Sequence, residues 1–115
     1  MQTAYIIVAG FLALALVSSA IGKLVRAAPV IENLSRAGVT ERMYPGLAAV
    51  EVIGGCGLLL GIWLPWMGIA AAIGVILYFI GAVGFHIHAK DPNATPAVAL
   101  GLFGAAALVL RVLSF

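Results

Sequence analysis

The charged residues of this 115-residue chain are confined to a few places, and this limits what the chain can fold into. Runs without a charged residue extend over 1–22, 52–89 and 92–110. A helix needs about 20 apolar residues to cross the roughly 30 Å hydrocarbon core of a membrane, so each run can hold at least one crossing. Charged residues make up 9% and hydrophobic residues 64% of the chain, against roughly 25% and 45–50% in soluble domains. A soluble globular domain is therefore excluded.

The pattern predicts an all-α integral membrane protein, a four-helix bundle formed by a single transmembrane domain over 1–115. Pro65 divides the 52–89 run, because proline cannot donate the hydrogen bond needed inside a helix. Trp63 and Trp66 beside it are typical of a membrane interface. A turn at 90–93 separates the last two helices. The predicted spanning helices cover about 3–22, 45–64, 66–89 and 95–113.

The long connection between the first two spanning helices contains a short predicted amphipathic helix at 29–37. Its apolar side consists of Val30, Ile31, Leu34 and Ala37, and its polar side consists of Glu32, Asn33, Ser35 and Arg36. Pro29 suits the first turn of a helix, and Gly38 suits the position after its end. Such a helix either lies on the membrane surface or packs on the end of the bundle, and both arrangements are open.

Lysine and arginine residues fall mainly on one side of the predicted bundle. On that side are Lys23, Arg26, Arg36, Arg42 and Lys90, and on the other is Arg111. The positive-inside rule then predicts a multi-pass protein of the bacterial cytoplasmic (inner) membrane, with both connections in the cytoplasm and both termini outside. A net charge of +2 without a basic cluster indicates no nucleic-acid partner. Membrane lipid is the expected surrounding partner.

Glu51 is the most informative single residue. It lies six positions after Pro45, which is about 9 Å along the second helix at 1.5 Å per residue. An acidic side chain within the hydrocarbon is unfavourable by roughly 2.5–3.5 kcal/mol, so it must face the bundle interior, be paired or be protonated. Its helical neighbours Gly54 and Gly55 suit an interior face. A polar partner for Glu51 is therefore expected.

Four other polar side chains are expected near the same end of the bundle, namely Ser19, Lys23, Tyr78 and His86. Ser19 and Lys23 share one face of the first helix, because they are four residues apart. Three interpretations are open. Lys23 and Glu51 form a structural ion pair; or the cluster binds a polar headgroup, a quinone carbonyl or a proton; or Lys23 reaches water without touching Glu51.

Small residues recur at four-residue spacing, which allows helices to approach closely inside a membrane. The predicted helix-packing residues are Gly54, Gly55, Gly57, Gly61, Gly74 and Gly101. Most such contacts are expected within one bundle, and an interface in a homo-oligomer is the alternative.

Catalytic and metal-binding motifs are not expected. Cys56 is the single cysteine, so a disulfide, a CxxC pair and a thiolate metal cluster cannot form within the chain. His86 and His88 are two residues apart on a helix and point about 200° away from each other, which disfavours a shared metal ion. We therefore predict no catalytic residue, no metal site and no covalently bound cofactor, and the expected ligands are a quinone or a lipid.

The order of these features resembles the DoxX-like family of small four-helix membrane proteins. The resemblance is carried by the segments 22–24, 37–39, 47–55 and 57–65 and by His86 with 90–92. It covers nearly the whole chain, and it implies a four-helix bundle in which Lys23 and Glu51 are characteristic polar positions. The family takes its name from a membrane subunit of an archaeal thiosulfate:quinone oxidoreductase. Other members work beside redox or sulfur-handling proteins, and a distant animal branch assists receptor assembly.

Three functions are expected from these features. The first is a non-catalytic accessory subunit of a larger bacterial membrane complex, such as a respiratory or redox complex, which docks on other membrane subunits through small-residue faces. The second is a redox membrane subunit that binds a quinone or a lipid, with Glu51, Lys23 and His86 at the polar end of the ligand. The third is a small proton-coupled exporter, suggested by the length and the lone intramembrane acid. On its own the chain is not expected to be an enzyme.

Overall fold

The computed structural model describes residues 2–91 and 94–114, and within these ranges the chain contains helices and turns but no strand. The elements are α1 (Gln2–Leu24), α2 (Ala28–Arg36), a 3-10 turn (Glu41–Met43), α3 (Tyr44–Leu60), α4 (Pro65–His88) and α5 (Thr95–Leu113). The predicted all-α fold class is confirmed.

Four of the helices are long and apolar enough to cross a membrane. They are α1, α4, α5 and the stretch Glu41–Leu60, which joins the 3-10 turn to α3. Helix α2, with 9 residues, is too short to cross. The outward faces carry large apolar side chains, such as Ile7 and Ile53, in contact with the surroundings. The chain is therefore a multi-pass membrane protein with a short helix between its first two spans, as predicted.

The four spanning helices form a ring in the order α1, α3, α4, α5. Helix α1 packs most extensively on α3, and α4 packs most extensively on α5, whereas the α3–α4 and α1–α5 seams are less extensive. The bundle is 39 Å along its longest axis. One end, the connection end, holds the 25–43 connection and the turn after α4. The other, the tryptophan end, holds the start of α1, the 61–64 turn and the end of α5.

Helix α3 ends at Leu60 rather than near residue 64, where the hydropathy pattern placed its end. The next residue, Gly61, makes a close backbone contact with Gly68 at the start of α4. A Cβ on Gly61 would overlap the Gly68 Cα and would lie 2.5 Å from the Tyr5 hydroxyl. The chain turns back directly after this contact, and it leaves Trp63 exposed at the tryptophan end.

Three helices close at the connection end with the same backbone arrangement. In each, an N–H beyond the helix bonds to a carbonyl five residues earlier, and these bonds are Ala27 to Gly22 (2.9 Å), Val39 to Leu34 (3.0 Å) and Asp91 to His86 (2.9 Å). The preceding residue has a positive φ in each case, namely Arg26 (55°), Gly38 (82°) and Lys90 (56°). This conformation suits glycine, and for Arg26 and Lys90 it is unfavourable by roughly 1–2 kcal/mol. These turns direct α2 and Asp91 back towards the bundle.

Helix α2 packs across the connection end of the bundle. A Val30 methyl lies 2.8 Å from the position that a Cβ on Gly22 would occupy, so glycine permits this close approach. The inward side of α2 includes Asn33, which the sequence placed on the polar side. Successive residues of a helix are rotated by about 100°, so Asn33 lies at the edge of the apolar stripe that contains Val30 and Leu34. Asn33 is therefore turned towards the bundle together with these apolar neighbours.

The Gly61 contact predicts a difference between two alanine substitutions. Gly61→Ala is expected to destabilise the protein by about 1–3 kcal/mol, because the added methyl overlaps the backbone of α4. Gly84→Ala is the matched control, since nothing lies within 4 Å of the added carbon, and it is expected to be neutral or slightly stabilising. Unfolding in detergent micelles, followed by tryptophan fluorescence, compares the two variants. Equal stabilities would contradict the close contact.

Candidate functional site

An ion pair between α1 and α3 lies at the centre of the polar cluster at the connection end. Lys23 Nζ is 2.6 Å from Glu51 Oε1, and only 4% and 2% of the two side chains is exposed. The ammonium donates a hydrogen bond to the carboxylate. The structure therefore differs from the arrangement in which Lys23 reaches water without touching Glu51.

Ser19 supplies a second acceptor for the buried ammonium group. Lys23 Nζ donates to Ser19 Oγ at 2.7 Å, and the two residues share a face of α1 because they are four residues apart. Two protein oxygens thus replace water around the lysine, which is what a charge in a low-dielectric site requires.

His86, near the end of α4, pairs with Asp91 and not with Glu51. Its Nδ1 lies 2.7 Å from Asp91 Oδ2, and 8% and 5% of the two side chains is exposed. Asp91 reaches back because Lys90 adopts its positive φ and reverses the chain. Asp91 is not among the residues predicted from the sequence, because its position depends on that turn. His88 is exposed. Within the described residues no group of three His, Cys, Asp or Glu side chains could hold a metal ion.

The five polar residues predicted from the sequence line one cavity of about 260 Å³, which we call the polar pocket. They are Ser19, Lys23, Glu51, Tyr78 and His86, and Asn33 of α2 lines the same cavity. Apolar side chains of α2, α4 and α5 form the remaining wall. The pocket thus joins elements that are far apart in sequence at the connection end of the bundle.

A second cavity of about 670 Å³, the lateral groove, runs between α3 and α4. Its wall is almost entirely apolar and includes exposed positions on the outer faces of both helices, among them Val50, Ile53, Cys56, Ala70 and Gly74. Glu51 and Tyr78 line the groove as well as the polar pocket. The two cavities are therefore adjacent and share these two side chains as part of their walls.

The predicted packing glycines occupy different environments. Five of them adjoin a neighbouring helix, where the nearest residues are Val75 for Gly54, Ala13 for Gly55, Ala71 for Gly57, Gly68 for Gly61 and Phe79 for Gly101. Gly74 differs from these, because no described atom lies within 4 Å of the position that its Cβ would occupy. Gly74 instead lines the open lateral groove.

A second buried charge, Arg111, lies at the tryptophan end, and its burial is not predicted from the sequence. Only 3% of Arg111 is exposed, and its guanidinium donates to the carbonyl oxygens of Gly61 (3.0 Å) and Ser114 (3.2 Å). It also lies over the Tyr5 ring, 5.1 Å from the ring centre, while the Tyr5 hydroxyl donates to the Leu58 carbonyl at 2.7 Å. Tyr5 and Arg111 near opposite ends of the chain are the only signal that could have indicated this cluster.

Comparison with known proteins identifies one family. Residues 7–110 match the model described as the DoxX-like family. No curated protein and no solved structure matches the chain.

The ion pair predicts a strong coupling between two substitutions. Lys23→Met and Glu51→Leu are each expected to destabilise the protein by about 3–5 kcal/mol, because each leaves one buried charge without its partner. The double variant contains neither charge and is expected to recover most of the loss. Unfolding of the purified proteins in detergent gives the coupling free energy. A double variant whose destabilisation equals the sum of the single values would show that the side chains do not interact.

Proposed function

This chain belongs to the DoxX-like family, and we propose that it binds a membrane-soluble amphiphile, either a quinone or a lipid. In this proposal the polar headgroup occupies the polar pocket and the apolar tail occupies the lateral groove. The observation that carries the proposal is that Glu51 and Tyr78 line both cavities. A ligand with a polar and an apolar part could therefore extend from one cavity into the other.

The size and lining of the cavities support this proposal. Sites for small molecules commonly measure about 300–1,000 Å³, and they combine mainly apolar walls with a few convergent polar groups. The lateral groove, at about 670 Å³, lies within this range. Because its wall includes exposed positions on α3 and α4, a tail could enter directly from the surrounding lipid.

The buried charges also favour a ligand role. Replacing a buried ion pair by apolar residues of similar volume is often neutral or stabilising. A contribution to stability alone therefore does not explain why Lys23 and Glu51 are present inside the membrane. Ionisable groups inside a membrane more often mark ligand or proton sites.

A proton-coupled exporter is less favoured. The intramembrane acid of such an exporter must bind and release protons, whereas Glu51 is held by Lys23 at 2.6 Å.

A second candidate function is that of an accessory subunit, and the outer face of α4 favours it. Gly81 and Gly84 are exposed there, outside the lateral groove, with no described atom near their potential Cβ positions. A helix of another membrane subunit, or of a second copy, could approach such a face closely. The two functions are compatible, because a subunit without its own redox centre could hold a quinone for a partner. Native mass spectrometry of gently extracted protein separates co-purifying subunits from retained small molecules.

We further propose that the connection end faces the cytoplasm of a bacterial cell and that both termini lie outside. Lys23 and Arg111 are buried in polar clusters, so they do not act as loop charges. The remaining cations are exposed and all lie at the connection end, namely Arg26, Arg36, Arg42 and Lys90. Their distribution agrees with the positive-inside rule.

Filling the lateral groove is expected to prevent binding of the amphiphile. Gly74→Leu adds a side chain that lines the groove, and the added Cβ meets no described atom within 4 Å, so the variant should weaken binding of decylubiquinone or of a phospholipid at least tenfold. Gly84→Leu is the matched control, because it adds the same side chain on the same helix outside the groove. Binding to protein in nanodiscs is measured by titration and by native mass spectrometry. Equal binding by both variants and the wild type would contradict the proposal.

A further inference from the structure

Most polar groups of the polar pocket already have a protein partner. Lys23 bonds to Ser19 and Glu51, and His86 pairs with Asp91. Two side chains that line the pocket differ from these, the Asn33 carboxamide and the Tyr78 hydroxyl. Neither makes a hydrogen bond within the part of the chain that the structure describes. They are therefore the groups available to a ligand.

The charges around the pocket balance without a ligand. Lys23 and Glu51 cancel each other, and the His86–Asp91 pair contributes either no net charge or one negative charge. Two cations of the neighbouring connection are also paired with carboxylates, Arg26 with Glu41 at 3.0 Å and Arg36 with Glu32. The two other cations of the connection end, Arg42 and Lys90, are exposed and do not line the pocket. An anionic headgroup would therefore find no unpaired cation in the pocket wall. Its burial would then be strongly unfavourable.

The two available groups come from different elements that border the same space. Asn33 lies on the inward side of α2, and Tyr78 lies on α4 where the pocket meets the lateral groove. A carboxamide can donate and accept hydrogen bonds, and a phenol can donate one. A carbonyl or a hydroxyl oxygen can accept a hydrogen bond from each of them without bringing a charge into the pocket. The pocket volume of about 260 Å³ suits a headgroup of roughly one ring.

We propose that Asn33 and Tyr78 are the residues that contact the ligand headgroup, and that they select an uncharged carbonyl- or hydroxyl-bearing headgroup over an anionic one. This inference rests on the proposed function, because it assigns the headgroup chemistry of the same site. Helix α2 is then part of the binding site rather than only a connection between two spans.

The experiment uses the full chain in phosphatidylcholine nanodiscs and three probes, of which the two dioctanoyl compounds have identical tails. Dioctanoylglycerol is uncharged, dioctanoylphosphatidic acid is anionic, and decylubiquinone is an uncharged probe with carbonyl oxygens. Either uncharged probe is expected to bind at least tenfold more tightly than the anionic one, and the stronger of the two identifies the headgroup type.

Asn33→Leu and Tyr78→Phe are each expected to weaken binding of that uncharged probe about fivefold, which corresponds to the loss of one neutral hydrogen bond. Ser35→Ala on the outer side of α2 and Tyr44→Phe outside both cavities are the matched controls, and they should bind as the wild type does. Circular dichroism and thermal unfolding of each variant verify that the fold is retained.

The outcomes separate this inference from the proposed function. Tighter binding of the anionic probe overturns the headgroup selection. Wild-type affinity in both Asn33→Leu and Tyr78→Phe, with binding still sensitive to Gly74→Leu, overturns the assigned contacts while the proposed amphiphile site stands. If no probe binds the wild type, both proposals are overturned.

Discussion

A lysine or a glutamate inside the hydrocarbon region is unfavourable by roughly 2.5–3.5 kcal/mol when it stands alone. In this bundle Lys23 and Glu51 meet at 2.6 Å, so neither charge is left without a partner. This requirement makes α1 and α3 neighbours and sets their relative height along the bundle. Ser19 adds a third group to the contact. The position of the polar pocket follows, because its charged wall is this pair.

Polar contacts hold α1 against α3 at both ends of the bundle. At the connection end the contact is Lys23 with Glu51, and at the tryptophan end the Tyr5 hydroxyl bonds to the Leu58 carbonyl beneath Arg111. The seam between α3 and α4 is less extensive, and it contains the lateral groove. The bundle therefore combines one firmly fixed helix pair with one open seam. A ligand could occupy that seam without disturbing the ion pair.

The sequence predicts the spans and the central pair because both depend on local features. Long uncharged runs define the helices, and a buried acid at Glu51 requires a partner whatever the details of packing. The sequence pattern does not predict contacts that depend on a turn or on a close approach of two backbones. Asp91 reaches His86 through a turn in which Lys90 has a positive φ, and α3 ends at Leu60, next to the contact of Gly61 with Gly68. Asn33 was misplaced because it lies at the edge of the apolar stripe of α2, where the side facing the bundle depends on tertiary packing.

The central claim is the direct contact between Lys23 and Glu51 within a bilayer, and dipolar-recoupling solid-state NMR measures it. The protein carries ¹⁵N-labelled lysine and ¹³C-labelled glutamate in liposomes, and Lys90→Arg leaves Lys23 as the only lysine. We expect a strong coupling between the lysine Nζ and one glutamate carboxyl carbon, which disappears in Glu51→Gln. Absence of this coupling, corresponding to a nitrogen–oxygen separation beyond about 4 Å, would contradict the account.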